Sequence, residues 1–189
     1  MIATLEEVRA DANARLAQAV GDRRSALHTP VVATGDADAR VMVLRHFDQE
    51  TWQLRFHTDL RSPKVAVIAS DPRIGVLAYD KHEKIQLRMR GKGRVLHEGT
   101  EADAAWAEAT NFARRCYLGE GPGSVADGPT SGLPERFEGE EPSDAELIPA
   151  RENFAILLVD IEEIDWFCLA HTGHRRALIT RDGGQWITP

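Results

Sequence analysis

Apolar and polar side chains alternate along most of the chain, which is the period of a β-strand rather than of a helix. Before residue 100 this alternation predicts five strands, at residues 27–34, 39–47, 52–57, 74–79 and 84–97. After residue 150 it predicts four more, at residues 154–161, 164–170, 176–180 and 185–187. Between the first two strands, the turn at Thr34-Gly35-Asp36 is expected to supply a residue with φ above zero.

Three segments follow the helical period instead, at residues 4–20, 63–70 and 100–118. The spacing of Thr4 and Glu7 predicts a capping box at the start of the first helix. Ser62 and Pro63 predict the N-cap and first position of the second helix. In the third helix we expect a buried face formed by Ala105, Trp106, Ala109, Phe112 and Ala113.

Residues 119–149 follow neither period and are rich in glycine, proline and acidic side chains. They predict a long loop or lid rather than a linker between domains, because strands resume directly after it. We therefore expect a single domain over residues 1–189. Many antiparallel strands with few helices predict a mainly β fold, a barrel with accessory helices.

The net charge of −7 argues against nucleic acid as the main partner. The longest apolar run, residues 154–159, is too short to span a bilayer, and the first residues lack the apolar core of a signal peptide. Cys116 and Cys168 are expected to be two buried thiols in a reducing compartment. His171 and His174 have an HxxH spacing, but without nearby carboxylate or thiol ligands they predict no metal site. We expect a cytoplasmic protein.

Basic and hydroxyl side chains collect where two predicted strands and a helix meet. Arg40 begins the second strand, Thr58 closes the third, and Ser62 and Lys64 occupy the first turn of the following helix. A helix N-terminus with nearby lysine and arginine suits an anionic phosphate. Alternatively, Ser62 only caps the helix while Lys64 and Arg40 are solvated surface charges.

Long polar side chains alternate along the fifth strand, where Gln86, Arg88 and Arg90 share one face. Such a face is most often turned towards solvent. Gln86 could instead serve as both donor and acceptor towards a ring with imide-like edges.

Taken together, these segments resemble the FMN-binding split barrels of the pyridoxamine 5′-phosphate oxidase family. That family has an R-x-V-L-L-K-like strand, an F-x-T-N-x-x-S-x-K element and a Q-V-x-x-x-G strand. The corresponding segments here are RVMVLR at residues 40–45, FHTDLRSPK at residues 56–64 and QLRMRG at residues 86–91. The resemblance is close over residues 25–100 and loose over residues 150–189.

The resemblance implies an antiparallel, Greek-key split β-barrel that binds FMN at the interface of a homodimer. Arg40 and Lys64 would hold the FMN phosphate, the backbone of residues 40–45 would follow the isoalloxazine edge, and Gln86 would reach the partner subunit's flavin. The implied cofactor-binding residues are Arg40, Val41, Val43, Leu44, Arg45, His57, Thr58, Ser62, Lys64, Gln86 and Arg176.

On the substrate side the sequence departs from the family. Arg45 replaces a lysine, Pro63 replaces a phosphate-binding arginine, and the family's R-L-H-D-R becomes TGHRR at residues 172–176. The substrate-facing residues implied are Arg45, His174 and Arg175. Arg114, Arg115 and Tyr117 only loosely match the set that grips the substrate phosphate.

The function that this resemblance implies is an FMN-dependent oxidoreductase acting on a small organic substrate, with no specific catalytic acid or base identified. Two alternatives remain open. One is a flavin-binding stress or redox module without turnover, and the other is a haem-handling split barrel.

Overall fold

A computed structural model describes residues 2–189, which form one nine-stranded antiparallel sheet and four α-helices. The strands are β1 Val31–Ala33, β2 Ala39–Val41, β3 Leu44–Asp48, β4 Gln53–Asp59, β5 Arg73–Asp80, β6 Ile85–Leu96, β7 Phe154–Cys168, β8 Arg175–Ile179 and β9 Gly184–Ile187. The helices are α1 Leu5–Gly21, α2 Pro63–Ser70, α3 Thr100–Glu108 and α4 Asn111–Arg114.

The sheet is arranged around β7, its longest strand. The main strand order is β2-β1-β5-β6-β7-β4-β3, and β8 also pairs with β7 and continues to β9. One edge of β7 pairs with β6, whereas its other edge pairs with β4 over residues 154–160 and with β8 over residues 164–168. Because two strands divide one edge, the sheet curls into a half-barrel, and the mainly β prediction is confirmed.

Helix α1 covers the open side of the half-barrel. It contacts β3, β8 and β9, and its buried face includes Val8 and Leu16. The predicted capping box is present, because Thr4 accepts a hydrogen bond from the backbone N–H of Glu7 and the Glu7 carboxylate accepts one from that of Thr4. In α1, the Asp11 carboxylate also accepts a hydrogen bond of 2.8 Å from the Trp166 indole of β7. The helix is thus joined to the core by both apolar packing and one polar contact.

Several predicted boundaries were wrong. The expected strand at residues 39–47 is two strands, β2 and β3, because the chain leaves the sheet at Met42 and Val43. In the preceding turn the residue with positive φ is Ala37, at 66°, and not Gly35. At Gly35 an added Cβ would lie 2.2 Å from the Asp71 carboxylate, so the Asp71 side chain would have to move.

The expected helix at residues 100–118 is also interrupted. It breaks after Glu108 into α3, α4 and a 3-10 turn at Arg115–Leu118. As a result Phe112 is 53% exposed rather than buried, and Cys116 is exposed as a free thiol. No helix within residues 2–189 is long and apolar enough to cross a membrane.

The segment 119–149 is a loop with local structure. It contains a 3-10 turn at Glu135–Phe137 and leads into another at Ile148–Asn153. Phe137 and Leu147 are only 5% and 2% exposed, so the segment packs against the domain at both places. Whether it acts as a lid stays a prediction.

A β-bulge brings β6 and β7 unusually close together. The pairing shifts register between Arg90 and Gly91, which leaves Glu162 without a partner in the ladder. A Cβ on Gly91 would lie 2.1 Å from the backbone oxygen of Asp160. Only glycine permits this approach without displacing one of the two central strands.

Gly91→Ala is therefore expected to lower the free energy of unfolding by about 1–3 kcal/mol, the usual cost of forcing atoms into a packed region. Urea unfolding followed by circular dichroism would measure the change. Gly128→Ala is the matched control, because a Cβ there meets nothing within 4 Å. Equal stability of the two variants would contradict the argument.

Candidate functional site

A cavity of about 400 Å³ opens where β2, β3 and β4 meet the start of α2. We call it the strand-end cavity, and its charged and hydroxyl-bearing lining residues include Arg40, Arg45, Thr58, Asp59 and Lys64. Basic residues that are far apart in the sequence thus surround a single space. The pairing of β1 with β2 and of β3 with β4 accounts for this arrangement.

Lys64 forms the centre of a small polar cluster in this cavity. Its Nζ lies 2.6 Å from Ser62 Oγ and 3.3 Å from Thr58 Oγ1, both within hydrogen-bonding distance. Burial and the nearby Arg40 charge lower the pKa of Lys64. Ser62 is the N-cap of α2, yet its side chain makes no capping bond and turns to Lys64 instead. The alternative that Ser62 serves only as a cap is therefore wrong.

Arg40 is held in place by the turn that precedes it. Its guanidinium donates to Thr34 Oγ1 at 3.1 Å and to the Val32 oxygen at 3.3 Å, and it forms an ion pair with Asp38. Asp38 offsets part of the Arg40 charge, whereas Lys64 makes no ion pair with any residue from 2 to 189. The excess positive charge of the cluster therefore lies at Lys64.

Arg45 reaches the cavity because β3 contains a bulge. The pairing with β4 shifts register between Leu44 and His46, so Arg45 has no partner strand residue. Bulges redirect side chains in this way next to binding sites. Just before it, Val41 ends β2 and the backbone of Met42 and Val43 leaves the sheet, and these three residues form one wall of the cavity.

His57 lies beside Arg45 on β4 and is held as a neutral imidazole. Burial, and secondly the charges of Arg45 and Arg55, lower the pKa of His57 to about 3. Its ring meets Phe154 edge-on, with centroids 5.0 Å apart. His57 therefore provides a neutral hydrogen-bonding group at neutral pH and carries no positive charge.

Gln86 and Arg176 lie on the outer face of the sheet, opposite the inner face on which Arg40 lies. Arg40 pairs with Val32, which pairs with Val76, and these two valines are buried on the inner face. Gln86 belongs to the alternate set of β6 positions, whose side chains point outwards. Neither Gln86 nor Arg176 lines the strand-end cavity of the same chain.

On that outer face Arg176 takes part in an ion group. Arg176 donates two bonds to Asp165, of 2.7 and 2.9 Å, and Arg88 contacts the same carboxylate at 2.7 Å. Burial opposes ionisation of Asp165, but Arg176 and Arg88 outweigh it and hold the pKa of Asp165 below its usual value. These two arginines are thus already paired within one chain.

His174 and Arg175 lie with Arg176 at the start of β8. Both line a cavity of about 420 Å³ near Ile2 and Trp186, and the His174 ring contacts Phe167 with centroids 5.7 Å apart. The structure therefore places the predicted substrate-facing residues in two groups, with Arg45 in the strand-end cavity and the other two in the cavity near Ile2 and Trp186.

The sequence reasoning missed Cys116 and Pro122 as cavity residues and matched Tyr117 only loosely. Tyr117, Cys116 and Pro122 line the strand-end cavity from the segment after α4. Arg114 and Arg115 turn away from it, to the backbone oxygens of Trp106 and Phe137, among others. Only the tertiary packing of this irregular segment decides which of its side chains point inwards.

Arg61 also points away from the strand-end cavity. It pairs with Asp59 at 2.7 Å and donates to the Gly119 oxygen at 3.0 Å. Asp59 thus lines the cavity with its charge already neutralised.

The strand-end cavity fits the phosphate end of a flavin mononucleotide. It combines a buried lysine without an ion pair, an arginine, two hydroxyls and a helix N-terminus, which together suit a dianionic group. Beside that cluster, the wall formed by Val41, Met42 and Val43 offers the backbone and apolar surface that a flat ring needs to pack against. Within residues 2–189 no cluster of three or more histidine, cysteine or acidic side chains could hold a metal ion.

Comparisons with known proteins agree with this geometry. Residues 11–97 match the family model described as pyridoxamine 5′-phosphate oxidase, FMN-binding domain. A search of the curated proteins found no match.

Three solved structures share the fold. A pyridoxamine 5′-phosphate oxidase-related, FMN binding protein from Nostoc punctiforme superposes with a TM-score of 0.74 at 23% identity, covering 100% of both chains. PhzG from Burkholderia lata, in complex with tetrahydrophenazine-1-carboxylic acid, gives 0.67 at 17% identity, covering 98% of this chain and 90% of PhzG. The general stress FMN/FAD binding protein from Xanthomonas citri gives 0.54 at 13% identity, covering 87% and 91%. The predicted resemblance is therefore confirmed: residues 11–97 match the FMN-binding domain of the pyridoxamine 5′-phosphate oxidase family, and the chain has the fold of these split barrels.

Proposed function

We propose that the chain is an FMN-dependent oxidoreductase that acts on a small organic substrate, with FMN bound in the strand-end cavity. The observation that supports this most directly is the cluster of Lys64, Ser62, Thr58 and Arg40 at the start of α2. The charges and hydroxyls of this cluster suit a phosphate, and the cluster lies directly beside the cavity wall formed by residues 41–43.

Bound FMN would supply a ring that accepts two electrons from the substrate and passes them to oxygen or another acceptor. The protein groups mainly bind and orient. Lys64 and Arg40 neutralise the phosphate, and residues 41–43 lie along the ring. His57 is not an acid at neutral pH, because its pKa of about 3 keeps it unprotonated. Tyr117 keeps its proton and can only donate it in a hydrogen bond, because burial raises the pKa of Tyr117.

A homodimer is the second part of the proposal. The outer face of the sheet exposes Val41, Leu77 and Tyr79 at 64%, 40% and 45%, next to the Arg88–Asp165–Arg176 ion group. An apolar face of this kind with few free charges is typical of a protein interface. Val41 belongs both to this face and to the lining of the strand-end cavity, so a second copy packed there would bring its Gln86 and Arg176 towards the flavin.

The first test is the purified protein. We expect a yellow protein with the absorbance of oxidised flavin, and release of FMN on denaturation, identified against FAD and riboflavin by chromatography. A colourless protein that takes up no added FMN would contradict the proposal, and a Soret band would favour haem. Bleaching of the bound flavin by an organic substrate under anaerobic conditions would separate an oxidoreductase from a flavin-binding module without turnover.

Lys64→Met is expected to weaken FMN binding about 10- to 100-fold, because it removes a charge-assisted contact to the phosphate. Riboflavin has no phosphate, so its affinity should change little. Quenching of flavin fluorescence measures both dissociation constants, and Lys81→Met, in the exposed β5–β6 turn, is the control. Equal weakening of FMN and riboflavin would show that Lys64 does not contact the phosphate.

Leu77→Glu is expected to convert the dimer to a monomer and to lower FMN affinity with it, because it places a charge in the apolar interface. Light scattering coupled to gel filtration measures the mass. Val125→Glu is the control, since Val125 is fully exposed on the 119–149 loop. A wild-type protein of about 21 kDa in solution would reject the dimer.

The neutral state of His57 predicts a pH dependence of stability. The folded pKa of about 3 lies below the ordinary value of 6.5, so between these values the unfolded chain binds the extra proton. The contribution of His57 is therefore complete above pH 6.5 and is lost as the pH falls towards 3. When the pH is lowered from about 7.5 to about 5.5, the free energy of unfolding, measured with urea, should fall less for His57→Leu than for the wild type. An equal loss would place the His57 pKa near its ordinary value.

A further inference from the structure

A second, larger cavity of about 600 Å³ adjoins the strand-end cavity. We call it the basic pocket. It lies between the end of α1, strands β3 and β4, and the break that separates α3 from α4. Four residues line both cavities, namely Val43, Arg45, His57 and Ala113. A molecule in the basic pocket would therefore lie directly beside a group bound in the strand-end cavity.

The pocket carries an excess of positive charge within an acidic protein. Arg23, Arg45 and Arg55 line it, and Glu108 is its one acidic lining residue within the described part of the chain. Glu108 contacts Arg55 at 2.6 Å and neutralises that charge. Arg23 and Arg45 remain, so the pocket attracts an anion.

The hydrogen-bonding capacity of Arg45 is unused. Its Nε is buried without a hydrogen-bond partner, and its guanidinium forms no ion pair with residues 2–189. Arg40 and Arg176, by comparison, are each held by a carboxylate. A buried donor without a partner is costly, and a ligand that accepts its hydrogen bonds removes that cost.

His57 provides a second unused group at the same junction. Its Nε2 is also buried without a hydrogen-bond partner in the described structure. The two unsatisfied groups lie on neighbouring strands, Arg45 in the bulge of β3 and His57 on β4. Together they offer one charged and one neutral hydrogen-bonding group to the same molecule.

The chemistry of the pocket favours a carboxylate over a phosphate. The strand-end cluster combines a lysine, two hydroxyls and a helix N-terminus, whereas the basic pocket has two unpaired arginines and one threonine. That threonine, Thr110, already caps α4 through a bond to the Ala113 N–H. A planar guanidinium binds either anion in a bidentate manner, but a singly charged carboxylate needs no further donors, whereas a doubly charged phosphate needs additional ones such as those of the strand-end cluster.

We propose that the basic pocket is the substrate site of this protein and that it takes a small organic carboxylate, bound by Arg45, with His57 meeting a polar group on the same molecule. The proposal rests on the proposed function, since the flavin would occupy the adjoining cavity. It makes Arg45 and His57 residues that determine the substrate class.

The test uses the FMN-loaded protein and three probes of similar size, benzoate, phenyl phosphate and benzyl alcohol. Binding is measured by calorimetry and by the change in flavin absorbance. We expect benzoate to bind more tightly than both other probes. In Arg45→Gln its affinity should fall about tenfold or more, the loss typical of one charged hydrogen bond. Arg181→Gln, in the exposed β8–β9 turn, is the control and should bind benzoate like the wild type.

The FMN dissociation constant of each variant is measured in parallel, so that a failure of this inference is distinguished from a failure of the proposed function. A fall in benzoate affinity in Arg45→Gln that exceeds any fall in FMN affinity supports the inference, whereas an equal fall of both assigns Arg45 to the flavin and overturns it. Unchanged benzoate affinity in that variant overturns it, as does tighter binding of the alcohol. Tighter binding of phenyl phosphate overturns the carboxylate assignment. A wild-type protein that binds no FMN contradicts the proposed function and this inference with it.

Discussion

The close approach of β6 and β7 is the constraint on which the rest of the molecule depends. Because Gly91 has no side chain, β7 can pair with β6 on both sides of the bulge and continue as one strand of 15 residues. That length leaves room for both β4 and β8 along its other edge. Strand β4 carries Thr58 and His57 to the strand-end cavity, and β8 carries Arg176 to the outer face. Both halves of the candidate site therefore depend on this pairing.

The distribution of charge separates binding from structural positions. Arginines that form ion pairs hold strands or turns together, as Arg176 does with Asp165 and Arg61 with Asp59. Lys64 and Arg45 differ, since each is partly buried and without an ion pair in the described chain. Buried positive charges without a partner are costly unless a ligand completes them. These two residues thus identify the two places where anionic groups fit best.

The sequence predicted the fold well, and for local reasons. The alternation of side chains fixed most strands, the Ser62-Pro63 pair fixed the start of α2, and three motifs in order indicated the family. The errors occurred where tertiary contacts override local preference. Strands β2 and β3 separate because the chain crosses from one part of the sheet to another, and the helix after residue 100 breaks where it passes the mouth of the basic pocket.

By itself the sequence determined most of the strand content, the resemblance to the family and a candidate phosphate-binding cluster, because these depend on patterns within short segments. Only the tertiary structure decided which side chains meet. Pairing across the sheet put Gln86 and Arg176 on the face opposite Arg40, and the β3 bulge directed Arg45 into the junction of two cavities. Sequence spacing gives the side of one strand on which a residue lies. It does not give the register between distant strands, which determines what that residue faces.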